Sequence, residues 1–259
     1  MALSFLGRRC CQTLTVRFKA AIGNSVRVLL STESGKLSEQ ETSDGQQVER
    51  ETQNYAAPVD EFYYFHEGCT EEVKRTVIDG YKLYLNFLTE DDEQSLQREI
   101  DRYMKRMRYE YDHWDDAIHG YRETEFSRWS ERNQKIIKRV RDLAFPSDMR
   151  QLPLVHVIDL AKDGYIKPHI DSVRFCGNTI TGLSLLSSSI MRLVHDKHKE
   201  IKVDVLLHPR SLYIMRDAVR LDYTHEILQD SESHFKGQAV PRDRRLSIMC
   251  RTEPTDSQS

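Results

Sequence analysis

The sequence predicts a mainly β fold with helical support: a double-stranded β-helix, or jelly roll, with N-terminal helices packed on it. Two observations carry that expectation. From about residue 152 onward, short runs of strand length follow one another between polar turns, as in an antiparallel β core. Ahead of them, two longer stretches repeat their apolar residues at helical spacing. The chain has 259 residues, 39% of them apolar and 31% charged, enough to bury a core without disulfide or metal staples. No run approaches 18 apolar residues, the length a membrane-spanning helix needs.

Taken in order, residues 1–32 contain Arg8, Arg9, Arg17, Lys19 and Arg27, no acid, and frequent hydroxyl residues. That is the composition of a mitochondrial transit peptide and predicts a mitochondrial (matrix) location. Residues 33–58 are polar and acidic, too poor in large apolar side chains to fold, and are expected to be a disordered linker. Residues 59–150 form the predicted helical support. Thr89 is placed to cap a helix whose third residue is Asp92, with Leu96, Ile100, Tyr103 and Met107 on one face. A second helix brings Ile136, Ile137, Val140 and Leu143 together. Residues 151–253 form the predicted jelly-roll core, in which LPLVHVIDL and YIKPHID read as a hairpin joined through Asp163-Gly164. TITGLSLL, IMRLVH, KVDVLL, SLYIM, THEIL and RRLSIMC supply the other strands. Residues 254–259 are expected to be a disordered tail.

Charge and cysteine usage narrow the function. With the five basic residues of 1–32 set aside, 33 remain against 41 acidic ones, a poor footprint for general nucleic-acid binding. Cys10, Cys11, Cys69, Cys176 and Cys250 show no C-x-x-C spacing, which argues against a thiolate zinc site and a disulfide framework.

The chemistry concentrates in three short stretches. In YIKPHID, Pro168 keeps Lys167 extended, so His169 and Asp171 are expected to project from the same face of one strand. His225, in DYTHEIL, is the best third partner. Two imidazoles and a carboxylate on a β scaffold describe the facial triad that binds non-haem Fe(II) and leaves positions open. A second His-x-Asp pair, His113 and Asp115, lies 56 residues before His169, as His225 lies 56 after it. Spacing does not choose between the pairs; context favours His169, because His113 follows a helix in a charged, turn-like segment. In RRLSIMCR, alternation puts Arg245, Ser247, Met249 and Arg251 on one strand face. Arginines on a buried face need anions, and a dicarboxylate would satisfy the Arg245 fork.

Through HIDS, LLHPRSLYIMRDAVRLDYTHEI and RRLSIMCR, over roughly residues 150–252, the chain resembles the AlkB-like Fe(II)/2-oxoglutarate-dependent dioxygenases, in particular their mitochondrial branch. The resemblance implies that His169, Asp171 and His225 ligate Fe(2+) as the catalytic triad. It implies that Arg245 pairs with the distal carboxylate of the co-substrate 2-oxoglutarate, with Tyr213, Ser247 and Arg251 in the same pocket. Ser247 and Met249 stand where the family's Arg-x-Asn-x-Thr-x-Arg pattern has Asn and Thr. The implied reaction uses O2 to decarboxylate 2-oxoglutarate and hydroxylate a protein or small-metabolite substrate, in a regulatory role rather than in DNA repair. Two alternatives stay open. One is demethylation of N-alkylated bases in mitochondrial RNA, disfavoured by the acidic charge and by the absence between residues 60 and 150 of aromatic, basic lid hairpins. The other is a non-catalytic 2-oxoglutarate or oxygen sensor on a jelly-roll scaffold. The chain is expected to be a monomer.

Overall fold

The computed structural model describes residues 56–111 and 117–254. The expectations for residues 1–32, for 33–55 of the linker and for 255–259 of the tail fall outside them, as do His113 and Asp115. Of the expected linker, residues 56–58 are described, and there the Ala57 N–H donates to the Leu83 carbonyl at 2.8 Å.

Ahead of the core lie α1 (Val59–Phe62), β1 (Tyr63–Phe65), α2 (Glu71–Gly80), β2 (Tyr81–Tyr84), α3 (Glu90–Met104), β3 (Ile118–Phe126) and α4 (Glu131–Ala144). The range expected to be helical support therefore also contributes three strands. Helix α3 starts where the sequence places it. The Thr89 hydroxyl accepts from the Asp92 N–H, and the Asp92 carboxylate accepts from the Thr89 N–H. Its buried stripe is Leu96, Ile100 and Met104. Tyr103, expected there, is 64% exposed, and Met107 lies past the helix end. Spacing of three or four residues admits both faces; packing on the sheet selects the one with Met104.

The core follows as β4 (Val155–His169), β5 (Thr179–Leu185), β6 (Ser189–His195), β7 (Lys202–Leu207), β8 (Ser211–Arg216), α5 (Asp217–Asp222), β9 (Tyr223–Ile227), β10 (His234–Phe235), β11 (Gln238–Ala239) and β12 (Arg245–Arg251). Ten strands form one antiparallel sheet in the order β1-β7-β6-β9-β4-β12-β5-β8-β2, with β3 on the far side of β4. Along one edge, β4 pairs first with β12, at residues 156–160, and then with β9, at Ile166 and His169. The sheet thus divides at β4 into two halves, as in a jelly roll.

The predicted hairpin is replaced by this continuous strand. Asp163-Gly164 does not turn the chain back; it carries β4 from one half to the other. A Cβ on Gly164 would sit 2.5 Å from the Gly120 carbonyl oxygen. Gly120 itself has φ +65°, where the β3–β4 register shifts between His119 and Tyr121. Two glycines therefore let adjacent strands bend together.

Alternation along β12 separates two cores. Leu246, Ile248 and Cys250 join Leu96, Ile100, Ile137 and Val140 under α3 and α4. On the other face, a cluster including Ile158, Leu160, Ile166, Leu193, Tyr213 and Ile227 draws on both halves of the sheet. Among the described residues, no helix is long and apolar enough to cross a membrane.

Gly164→Ala is expected to destabilise the protein by about 1–3 kcal/mol, because its Cβ meets backbone that cannot rotate away. In thermal denaturation this is a fall of roughly 2–10 °C. Lys162→Ala, exposed two residues earlier, should stay within about 0.5 kcal/mol of the parent.

Candidate metal centre and active-site pocket

His169 ends β4, and its direct cross-strand partner on β9 is His225. The two rings lie 4.3 Å apart between centroids. Asp171 stands beyond the strand end, in the loop that follows, so the loop rather than a shared β face turns it toward the histidines. Asp171 Oδ1 is 3.8 Å from His169 Nε2, and Oδ2 is 3.7 Å from His225 Nε2. One ligand atom from each of the three residues lies within 4.8 Å of the others. That is the spacing of donors around a single ion.

Protonation favours metal binding. His169 Nδ1 donates to the Lys167 carbonyl at 2.8 Å, which leaves the Nε2 lone pair free for an ion. Burial, reinforced by His169 and Arg220, pushes the His225 imidazole down to about 3, against the pull of Asp171. It is therefore neutral at physiological pH, as a ligand must be. For Asp171, burial raises the carboxyl, but the His225 and His169 imidazoles, with Arg220 and Arg251, hold it below the usual carboxylate range.

The same cavity, about 350 Å³, is lined by all seven residues expected from the sequence: His169, Asp171, His225, Tyr213, Arg245, Ser247 and Arg251. Arg245 is 1% exposed. Its Nε donates to Ser184 Oγ at 3.1 Å, while its Nη2 has no hydrogen-bond partner among the described residues. Burial lowers its pKa, partly countered by Tyr213 and Tyr81. A buried guanidinium with an unused donor matches one carboxylate of a dicarboxylate ligand. Tyr213 stacks on Tyr81 at 5.9 Å and lines the cavity together with Ser247. Gly182 makes room for that ring, since a Cβ there would lie 2.5 Å from the tyrosine hydroxyl. Arg251 differs from Arg245: its Nη2 donates to Glu125 Oε1 at 3.2 Å.

The donor set fits Fe(II), and the orphaned guanidinium nitrogen fits 2-oxoglutarate beside it. Sequence reasoning missed several contributors. Glu123 and His156, 3.0 Å apart, line the cavity from β3 and β4. Arg220, from α5, donates to the main-chain oxygen of Asp171 at 2.8 Å. The spacing in DAVRLD makes Arg220 resemble a solvated charge on a short helix, so nothing local marks it.

Comparison with known proteins agrees with this geometry. Residues 89–251 match the family model described as the 2OG-Fe(II) oxygenase superfamily. A mouse (Mus musculus) protein, alpha-ketoglutarate-dependent dioxygenase alkB homolog 7, mitochondrial, is 55% identical over 187 residues, covering 72% of this chain and 85% of its own. The protein of the same description from Bos taurus is 54% identical over 168 residues, covering 65% of this chain and 76% of its own. Among solved structures, a prolyl hydroxylase from Trichoplax adhaerens, in complex with a hypoxia inducible factor oxygen degradation domain peptide fragment, aligns with a TM-score of 0.53. It covers 83% of this chain and 94% of its own at 12% identity, a likeness of fold alone.

Gly182→Ala is expected to drive the Tyr213 ring off Tyr81, lowering stability by about 1–3 kcal/mol and weakening 2-oxoglutarate binding. Tyr213→Phe keeps the ring and should cost only about 1 kcal/mol. Thermal denaturation with co-substrate titration separates the two.

Proposed function

The chain belongs to the 2OG-Fe(II) oxygenase superfamily, and on that premise we propose that it hydroxylates a protein side chain or small metabolite inside mitochondria. Its activity is that of a 2-oxoglutarate-dependent dioxygenase, with Fe(2+), 2-oxoglutarate and O2 as the reaction's requirements. In this reading His169, Asp171 and His225 hold the iron, while Arg245, Tyr213, Ser247 and Arg251 hold the co-substrate. The mitochondrial location rests on the names of the mouse and bovine relatives and on the basic, acid-free composition of residues 1–32.

Iron and 2-oxoglutarate together supply the oxidising chemistry: O2 is split between succinate, formed with CO2, and a hydroxyl group on the substrate. The chain supplies placement. His169, Asp171 and His225 would hold the ion beside the cavity that they line. Arg245 fixes the far end of the co-substrate with a charge-assisted fork. Ile118, Ile158, Ile166, Met191, Ile227 and Met249 line the remaining wall with apolar surface that keeps water away from the reacting atoms.

One observation carries the choice of substrate. Of the two guanidiniums lining the cavity, Arg245 is buried and Arg251 is tied to Glu125, while Glu123 adds a carboxylate. Among the described residues, this lining offers no exposed, unpaired guanidinium or ammonium to track a phosphodiester chain, and phosphate contacts supply most nucleic-acid affinity. Phe175, 70% exposed beside the cavity, adds an apolar contact suited to a protein side chain.

His169→Ala or Asp171→Ala is expected to abolish iron-dependent 2-oxoglutarate decarboxylation. Arg245→Ala should weaken 2-oxoglutarate binding by about 30-fold or more while iron still binds; fluorescence quenching with each ligand reads both. Substrate class is tested by adding mitochondrial extract and following succinate release. Stimulation that survives ribonuclease is expected, and stimulation abolished by ribonuclease would transfer the assignment to RNA.

A further inference from the structure

Arg220 is 1% exposed, and no carboxylate among the described residues lies within ion-pair distance of it. It sits on α5, whose last residue, Asp222, runs directly into β9 and so into His225 five residues on. Its Nη2 donates to the Asp171 main-chain oxygen at 2.8 Å, with Cys176 Sγ at 3.2 Å and the Cys176 carbonyl at 3.5 Å. Its Nε and Nη1 have no hydrogen-bond partner among the described residues. Between Asp171 and Cys176 the chain makes a turn in which the Ser172 carbonyl accepts from the Phe175 and Cys176 N–H groups. Arg220 therefore grips both sides of the turn that carries Asp171.

A buried guanidinium is costly wherever its donors are unused. Core packing alone would be served by an apolar side chain of similar size. The contacts Arg220 does make all come from Nη2 and all fall on the Asp171 loop. Asp171 lies past the end of β4 and has no sheet register to hold it, unlike the directly paired His169 and His225. We infer that Arg220 is a positioning residue for the metal centre, clamping the Asp171 loop to the helix that leads into His225.

This rests on the triad being the metal site, and Co(II) alone, without co-substrate, tests the two separately. Absorption titration of the full-length chain should show Co(II) binding by the parent and affinity about 10-fold or more weaker, with altered d–d bands, in Arg220→Gln. Arg220→Lys, which keeps the charge and one donor, should recover part of the affinity. Arg242→Gln serves as the structural control. Arg242 is also buried, but donates to the Leu228 and Gly164 carbonyls, so its loss should lower the melting temperature and leave Co(II) affinity unchanged. Parental affinity in Arg220→Gln, or an equal affinity loss in Arg242→Gln, overturns the positioning role. Failure of the parent to bind Co(II) overturns the metal site itself. If Arg220→Gln does not fold, Arg220→Lys is read in its place: weakened affinity at an unchanged melting temperature supports the role, and unchanged affinity overturns it.

Discussion

The site depends on one strand serving two half-sheets. β4 is hydrogen-bonded to β12 near its start and to β9 near its end. The first pairing sets Arg245 opposite Leu160, and the second sets His169 opposite His225. Arg245, the candidate co-substrate arginine, and two candidate ligands are therefore held by registers on a single strand. Because side chains alternate along a strand, a slip of one residue in either pairing would turn a functional group to the wrong face. Glycine at 120 and 164 lets the two pairings coexist, since β3 and β4 must bend where the halves diverge.

The outer face of β4 is fixed by charge. Asp159, fully buried, accepts from Arg122 at 2.8 Å, from Arg244 at 2.8 and 3.0 Å and from Tyr109 at 3.1 Å. Arg122 also donates to the Met104 and Met107 carbonyls at the end of α3, and Arg244 reaches Asp101 within that helix. A buried pair often does no better than an apolar one, yet removing one partner strands the other at a cost of about 3–5 kcal/mol. The network thus specifies where α3 meets the sheet more than it adds to stability. Arg244 and Arg245 are neighbours with opposite fates. Burial alone would lower Arg244, but Asp159 and Asp101 push its pKa up; Arg245, turned inward, is lowered by burial and meets no acid among the described residues. The chain satisfies the outer arginine itself and leaves the inner one for a ligand.

Legibility followed the range of the interaction. Period-two alternation in RRLSIMCR is a local property of a strand, so Arg245, Ser247, Met249 and Arg251 were readable as one face lining one cavity. The Thr89–Asp92 capping box was equally local. Asp163-Gly164 misled because the dipeptide that favours a tight turn also permits a bend in a continuous strand. Only the position of Gly120, on another strand, distinguishes the two. Strand β3 was missed because two of its charged residues, Arg122 and Glu123, belong to a buried ion pair and to the cavity rather than to a solvated face. Arg220 left no local trace because its role is defined entirely by a loop 49 residues away in sequence.

Charge also explains why the metal and the dicarboxylate belong to one site. With Arg251 paired to Glu125, the cavity region holds two carboxylates, Asp171 and Glu123, and the two buried guanidiniums of Arg245 and Arg220, beside imidazoles that must be neutral to bind metal. Those charges balance, so a divalent ion alone would leave an excess of positive charge and a dianion alone an excess of negative charge. Together their charges cancel and leave the balance of the empty cavity unchanged. In a poorly hydrated apolar pocket, unbalanced charge is far more costly than in water. The arrangement therefore favours simultaneous occupancy by ion and co-substrate over either alone. It places that preference in Arg220 and Arg245, two residues that no model of three iron ligands would require.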